Sequence, residues 1–536
     1  MTIGATYQCS LPASSWTRGA TAFAAAALTA LVSACVALPP RPDDIRPSSA
    51  IPASNETRLA RIAAVSTPPP PESGFRLLHS GTLALDARIA LIRGAERSLD
   101  VQYYEIAADN TGRGFLAELR TAAGRGVRVR LLVDDLHIGD QQTELTDLAS
   151  FPHMEVRVFN PLPVRQGSWI WRLLGSSSQV QELQMRMHNK LLVADGAFAI
   201  TGGRNIADEY YWQSEESAFI DLDVVLAGSA VGELAALFDV YWNSEQVWPI
   251  ESFAAPASDR MERRRRFDAY VVDARLPAVP RVPADRLGYG RLADEIEGGR
   301  VRLYAGRVSA VADQPHKVDE SPFVGEDLWD APSEIRRAVN RLLRGAERET
   351  MLMTPYFVPG ESGIARMKAN LARGVRIGIV TNSLASTDEP VVHAGYRRYR
   401  KTALEAGAEL YELDPVPAER LALPEMRGHP VVRIHGKAAV IDRRIVYIGS
   451  MNFDPRSVAL NTEIGVVIES APLAHEVLEL LEPLMALGSW QVRIGDYGEL
   501  EWTRDGWPGD RAEPRTTLWQ RMRLDWLSVL IPERSL

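Results

Sequence analysis

The sequence predicts an α/β protein made of two similar sandwich halves packed about a pseudo-twofold axis. Three observations carry that expectation. Segments repeat at a nearly constant offset, helical stretches alternate with short apolar runs bounded by turn residues, and one histidine–lysine motif occurs once in each copy. Arg93-Gly94-Ala95-Glu96-Arg97 returns 251 residues later as Arg344-Gly345-Ala346-Glu347-Arg348. Arg125-Gly126-Val127-Arg128-Val129-Arg130 returns after 248 residues as Arg373-Gly374-Val375-Arg376-Ile377-Gly378, and His188-Asn189-Lys190 returns after 247 as His435-Gly436-Lys437. Duplicated halves in one chain place equivalent residues opposite one another.

Taken in order, residues 1–35 read as a leader. Gly19–Val32 is almost wholly small and apolar, too short to span a bilayer, and follows Arg18. The ending Leu31-Val32-Ser33-Ala34-Cys35 resembles a bacterial lipobox, with Cys35 the lipidated residue; the plainer alternative is an ordinary secretion signal. Residues 36–74, rich in Pro, Ala and Ser and ending near the Pro68–Pro71 run, read as a tether. Residues 75–250 form the first half, with Leu99–Glu105 as a strand after the glycine-ended helix. Residues 251–330 are less regular and read as a connecting segment, whose Arg263-Arg264-Arg265-Arg266 run suits a solvated helix or lipid headgroups. Residues 331–536 form the second half, with Thr350–Val358 as the matching strand.

The chain has 536 residues, 46% apolar and 24% charged, enough for a large core and unlike a disordered or polytopic membrane protein. Sixty Lys and Arg against sixty-nine Asp and Glu give a net charge of −9, which argues against a general nucleic-acid binder. The only cysteines, Cys9 and Cys35, precede the folded region, so neither a disulfide framework nor a cysteine zinc site is expected.

The motif His188-x-Lys190-x4-Asp195-x6-Gly202-Gly203-x-Asn205 recurs as His435-x-Lys437-x4-Asp442-x6-Gly449-Ser450-x-Asn452. On a strand, residues two apart share a face, so each His and Lys converge. Two histidines, two lysines and two asparagines around one cavity suit a phosphodiester. Lys190, Lys437, Asn205 and Asn452 can hold the non-bridging oxygens; one imidazole can attack phosphorus while the other protonates the leaving alcohol. Each imidazole needs a carboxylate on its other ring nitrogen. Asp221-Leu222-Asp223 aligns with Glu463-Ile464-Gly465, which nominates Asp221 and Glu463, with Asp223 as the fallback. Asp195 and Asp442, at the ends of the motif strands, read as structural acids that stabilise the turn.

With those residues in view, the sequence resembles the HKD phospholipase D superfamily and, within it, the bacterial cardiolipin synthases, most closely the synthase C type. Besides both motifs, the resemblance rests on Asp100-Val101-Gln102-Tyr103-Tyr104, Val133-Asp134-Asp135 and Phe159-Asn160-Pro161. It continues through Arg204-Asn205-Ile206-Ala207-Asp208-Glu209-Tyr210, Tyr356-Phe357-Val358-Pro359, Thr381-Asn382-Ser383 and Phe453-Asp454-Pro455-Arg456-Ser457. It spans residues 75–536 and implies the phospholipase D fold. It also implies phosphatidyl transfer without metal or cofactor, through phosphohistidine, from phosphatidylethanolamine to phosphatidylglycerol. The implied nucleophile is His188 and the implied acid/base is His435, with the reverse left open by the pseudo-symmetry. The runner-up is a hydrolase releasing phosphatidic acid. Expected partners are phospholipids and a membrane surface, not nucleic acid, for a monomer with an internal pseudo-dimer. With the leader, this places the chain as a periplasmic lipoprotein of a Gram-negative bacterium.

Four further features bear on lipids. Trp169-Ile170-Trp171-Arg172-Leu173-Leu174 reads as a lid or a packed helix, and Leu518–Leu527, with Trp519 and Trp526, as an in-plane amphipathic helix or a core cap. His393, Tyr396, Arg397 and Arg398 suit a headgroup or a surface helix. Tyr103, Tyr104, Tyr356 and Phe357 are expected to line the site walls.

Overall fold

The architecture follows from how the apolar runs pair. In this computed structural model, residues 38–163, 185–254, 259–277, 285–318, 333–416 and 429–530 are described. The strands are β1 (Ser73–Leu78), β2 (Ser98–Tyr103), β3 (Arg128–Asp134), β4 (Met154–Phe159), β5 (Lys190–Ala194), β6 (Phe198–Gly202), β7 (Ser217–Ile220), β8 (Asp223–Gly228), β9 (Val247–Pro249) and β10 (Tyr304–Ala312). They continue as β11 (Glu349–Met353), β12 (Arg376–Asn382), β13 (Glu409–Leu413), β14 (Val431–Ile434), β15 (Ala438–Ile441), β16 (Ile445–Gly449), β17 (Ile464–Glu469), β18 (Ser489–Ile494), β19 (Leu500–Arg504) and β20 (Trp507–Asp510).

The first half has the spatial order β4-β3-β2-β5-β6-β8, parallel across β4-β3-β2 and antiparallel beyond. The second repeats it as β13-β12-β11-β15-β16-β17, with the same change of direction. Strands β2 and β11 sit centrally and are covered on both faces, so that in β2 even the alternating Ser98, Asp100 and Gln102 are buried. The strand runs expected over Leu99–Glu105 and Thr350–Val358 end earlier, at Tyr103 and Met353, because the chain leaves the sheet there to build the site.

Three apolar layers complete two α/β sandwiches. Leu85, Leu91, Phe115 and Leu119 cover the outer face of the first sheet, and Ile335, Val339, Tyr396 and Ala403 that of the second. The third cluster joins the halves. There the helices Ser229–Trp242 and Ala471–Ala486 bring Leu234, Phe238, Leu473 and Leu478 together with Val224, Leu226, Val466 and Ile468.

Asp195 and Asp442 fix the chain entering each central strand. Asp195 accepts the backbone N–H groups of Glu96, Arg97 and Ser98, and Asp442 those of Glu347, Arg348 and Glu349, at 2.8–3.2 Å. Both take φ 52°, a conformation that Asp tolerates. They therefore hold the repeated Gly-Ala-Glu-Arg turn of each half rather than their own turn.

Two expectations are corrected. The 36–74 tether is docked from residue 41 onward. Arg41 Nε donates to the Val247 carbonyl at 3.0 Å, Arg130 Nη1 to that of Ser48 at 2.9 Å, and the Ala50 N–H to Asp239 at 2.8 Å. Arg58–Ser66 is a helix whose Leu59 and Ile62 are buried. These anchors are mostly backbone groups and small side chains, so composition does not reveal them. The 251–330 connector, in turn, contains β10, which pairs with β1 through residues 304–306 and with β17 through 307–312, making one continuous sheet. Its arginine run lies on a charged helix that is solvated at Arg265 and Arg266, as expected, while three of the four arginines are also anchored to the fold. Arg264 donates to the Ser150 carbonyl, Arg266 to Asp147, and Arg263 to the Thr146 carbonyl, around the C-terminal end of the helix Gln142–Leu148. That end carries partial negative charge. The leader, Cys35 and Trp169–Leu174 lie outside the described residues.

Asp195→Ala leaves one buried and two part-buried N–H groups without their acceptor and is expected to cost about 3 kcal/mol; Asp442→Ala, at a more exposed turn, about half that. Thermal unfolding midpoints should fall in that order, and a wild-type midpoint for Asp195→Ala would refute the capping role.

Candidate active site

Two backbone pairings cross between the halves. Strand β14 pairs with β7 in parallel, Ile434 opposite Ile220, and the His435 N–H donates to the Ile220 carbonyl at 2.8 Å. Met187 and Thr462 form a parallel bridge, in which the His188 N–H donates to the Thr462 carbonyl at 2.9 Å. The register is the same in both. Each histidine follows the paired residue of its own half, and each carboxylate follows the paired residue of the other. His435 Nδ1 therefore meets Asp221 Oδ2 at 2.7 Å, and His188 Nδ1 meets Glu463 Oε2 at 2.9 Å. Both nominated carboxylates orient an imidazole, each across the interface. Asp223, the fallback, instead pairs with Arg88 at 2.9 Å and Arg204 at 3.1 Å. All eight nominated side chains are buried; the histidines retain 7% and 6% exposure, which leaves a route for a substrate.

The lysines follow from strand alternation. Lys190 Nζ donates to the His188 carbonyl at 2.7 Å and lies 5.1 Å over the Tyr104 ring. Lys437 Nζ donates to the His435 carbonyl and sits 2.8 and 3.0 Å from the two ring nitrogens of His435. Asn205 Nδ2 reaches Tyr210 Oη at 3.0 Å and Glu105 Oε2 at 3.2 Å. The Oδ1 atoms of Asn205 and Asn452 have no partner among the described residues. Gly203 is required by close approach: a Cβ there would lie 2.2 Å from Asp221 Oδ1. The second half carries Ser450 instead, and its hydroxyl donates to Glu463.

Burial governs the charges. It lowers the His188 imidazole well below its ordinary range, helped by repulsion from Lys190 and Lys437. It takes His435 down to about 4, with Lys437 adding to the shift and Asp221 opposing it. For Asp221, burial alone would raise the carboxyl, but His435, Lys437 and Arg204 hold it at about 2. Burial pushes Glu463 up to about 8 against the pull of Lys190. The Lys437 ammonium is brought down to about 8 by burial, against Asp221 and Glu463. Neutral imidazoles with the Lys437 ammonium beside them are suited to attack at phosphorus, because the ring keeps a lone pair while the charge is supplied next door.

Several expectations are refined. Tyr104 packs edge-on against His188 at 5.0 Å, and the Tyr356 hydroxyl donates to Asp388 at 2.8 Å beside the site. Tyr103 and Phe357 face the cores instead, against Arg88 and Tyr396. His393 and Tyr396 are not a surface headgroup site: they are buried, His393 beside Arg400 and Tyr396 donating to Glu412 at 3.0 Å. Sequence reasoning passed over Glu105 and the role of Tyr210. The Tyr210 hydroxyl lies 3.4 Å from His435 Nε2, and its counterpart in the other half, 247 residues on, is Ser457. That mismatch inside an otherwise repeated frame was the available signal.

The family described as "Cardiolipin synthase, PLD-like domain" matches residues 89–242 and 339–485, one segment in each half. The chain belongs to this family. It is 35% identical over 467 residues to cardiolipin synthase C of Escherichia coli, covering 86% of this chain and 96% of that protein. It is 24% identical to cardiolipin synthase 2 of Staphylococcus epidermidis, over 76% of this chain and 67% of the relative. Among solved structures it is similar to phosphatidylserine synthase of Haemophilus influenzae, with TM-score 0.55 and 15% identity over 86% of this chain and 95% of that one. That likeness carries the fold. Among the described residues no group of His, Cys, Asp or Glu is arranged to hold a metal ion, and no helix is long and apolar enough to cross a membrane.

At pH 6 both imidazoles should be neutral, since their pKa values lie below the ordinary 6.5. ¹⁵N NMR of histidine-labelled protein reads this directly; an imidazolium at His188 or His435 at pH 6 would contradict the burial argument.

Proposed function

We propose that this chain makes cardiolipin by moving a phosphatidyl group from phosphatidylethanolamine to phosphatidylglycerol through a phosphohistidine. The observation that carries the reading is the crossed pair of His–carboxylate contacts, which leaves each half with one oriented imidazole beside a lysine. The identity to cardiolipin synthase C over nearly that protein's whole length supports the substrate class.

His188 is the nucleophile. Glu463 accepts its Nδ1–H, so Nε2 attacks phosphorus; an N–P bond forms as the P–O bond to ethanolamine breaks. His435, set by Asp221, gives its Nε2 proton to the departing alkoxide. The arriving phosphodiester anion favours the imidazolium that this step needs, offsetting the depression that burial imposes. In the second half-reaction, the hydroxyl of phosphatidylglycerol loses its proton to His435 and attacks phosphorus as the N–P bond breaks. Lys190, Lys437, Asn205 and Asn452 hold the non-bridging oxygens throughout. The division of roles is supported by Tyr210, which already occupies the neighbourhood of His435 Nε2. The chain acts as a monomer with an internal pseudo-dimer, anchored through lipidated Cys35 on the periplasmic side.

Mass spectrometry of the purified protein with mixed micelles of both lipids should give cardiolipin and ethanolamine, and His188→Ala and His435→Ala should each abolish them at unchanged thermal midpoint. Phosphatidic acid alone would mean a hydrolase, and wild-type-like turnover in either variant would sink the two-histidine mechanism. Activity should also fall as pH rises through about 8, where Lys437 loses its proton and the phosphate clamp its charge. Lys437→Arg keeps its charge, so its alkaline limb should move to higher pH whatever its peak rate; an unmoved limb would assign that limb to another group.

A further inference from the structure

The helix Leu518–Leu530 carries a row of large apolar side chains that no described residue covers. Leu518, Trp519, Met522 and Trp526 are 66%, 72%, 44% and 67% exposed. At one residue per ~100° of turn they fall within about 100° of arc. Leu524 points the opposite way, where it is buried against Leu384 and Ala394. The helix is held in that rotation by Arg397 Nη1 donating to Asp525 at 2.7 Å and Arg398 Nη2 to the Ser528 carbonyl at 2.7 Å. Arg523 is exposed at the edge of the stripe, and Arg521 is half-buried on its far flank.

The position of this face matters as much as its composition. Leu384, on which the helix rests, belongs to the loop between β12 and the helix Pro390–Glu405. The same loop carries Asp388, which accepts the Tyr356 hydroxyl and acts electrostatically on His435 and Lys437. The exposed indoles therefore stand one packed layer from the reaction centre. The net charge of −9 makes the molecule as a whole unfavourable to an anionic surface. A local patch pairing indole rings with arginine supplies what the overall charge does not: apolar area at headgroup depth and cations beside lipid phosphates.

We propose that this face docks on an anionic bilayer and turns the 383–389 loop, and with it the reaction centre, toward the membrane. The inference rests on the proposed use of phospholipids as substrates. Its test does not depend on turnover. Cys9 and Cys35 are the only cysteines, so the full chain with both changed to Ser can carry one new cysteine, from Trp526→Cys or from Arg265→Cys on the helix Arg260–Val271, labelled with a bimane. Vesicles of phosphatidylglycerol and brominated phosphatidylcholine should quench the label at 526 and leave that at 265 unquenched. Equal quenching at both positions, or none at 526, would overturn the proposal, as would a label at 526 shielded by self-association without lipid. In parallel, Trp519→Ala with Trp526→Ala should lower cardiolipin formation on vesicles at least tenfold while sparing turnover of short-chain lipids in solution; equal losses on both would also overturn it. Quenching at 526 in a protein that makes no cardiolipin would support the docking and sink the proposed reaction.

Discussion

Two short parallel backbone pairings, β7 with β14 and Met187 with Thr462, are the constraint on which the reaction centre depends. Each hands a histidine of one half to a carboxylate of the other, in the same register. Neither half contains an oriented imidazole alone, so the site exists only when the halves are packed. The shared apolar layer from Leu226 and Phe238 to Val466 and Leu473 holds them together, and β10 makes the join continuous by pairing with both β1 and β17.

Duplication gives the centre its symmetry, and small departures give it direction. Gly203 makes room for the short Asp221, whereas Ser450 donates a hydroxyl to the longer Glu463. Tyr210 sits beside His435, while Ser457 stands at the corresponding place in the other half. Burial acts on both halves alike, but Asp221 is held low and Glu463 is pushed up. Two imidazoles with the same local sequence thereby acquire different surroundings, which the proposed two-step transfer requires of them.

The duplicated frame, the two sandwiches and the eight nominated site residues were legible in the sequence because each rests on local pattern. His188 and Lys190 share a strand face by period alone, and the alignment of Asp221 with Glu463 needs only the repeat offset. What was misread depends on partners distant in the chain. Arg263 and Arg264 look as solvated as the exposed Arg265 and Arg266 until the carbonyls of Thr146 and Ser150 are seen beneath them. His393 and Tyr396 look like surface groups until Glu412 and Arg400 close around them. Residues 41–66 look like a tether until Asp239, Val247 and Ser48 prove to be bonding partners across the fold.

The sequence by itself determined the candidate site residues, since strand periodicity and a repeated motif specify residue type and face without reference to the rest of the molecule. Only the tertiary structure decided which carboxylate serves which histidine, because that choice belongs to a ladder between segments 214 and 275 residues apart. It also decided which aromatics stay outside. Trp519 and Trp526 lie on a patterned helix like many buried ones, and they remain exposed because the helix turns Leu524, on its opposite side, onto Leu384 and Ala394.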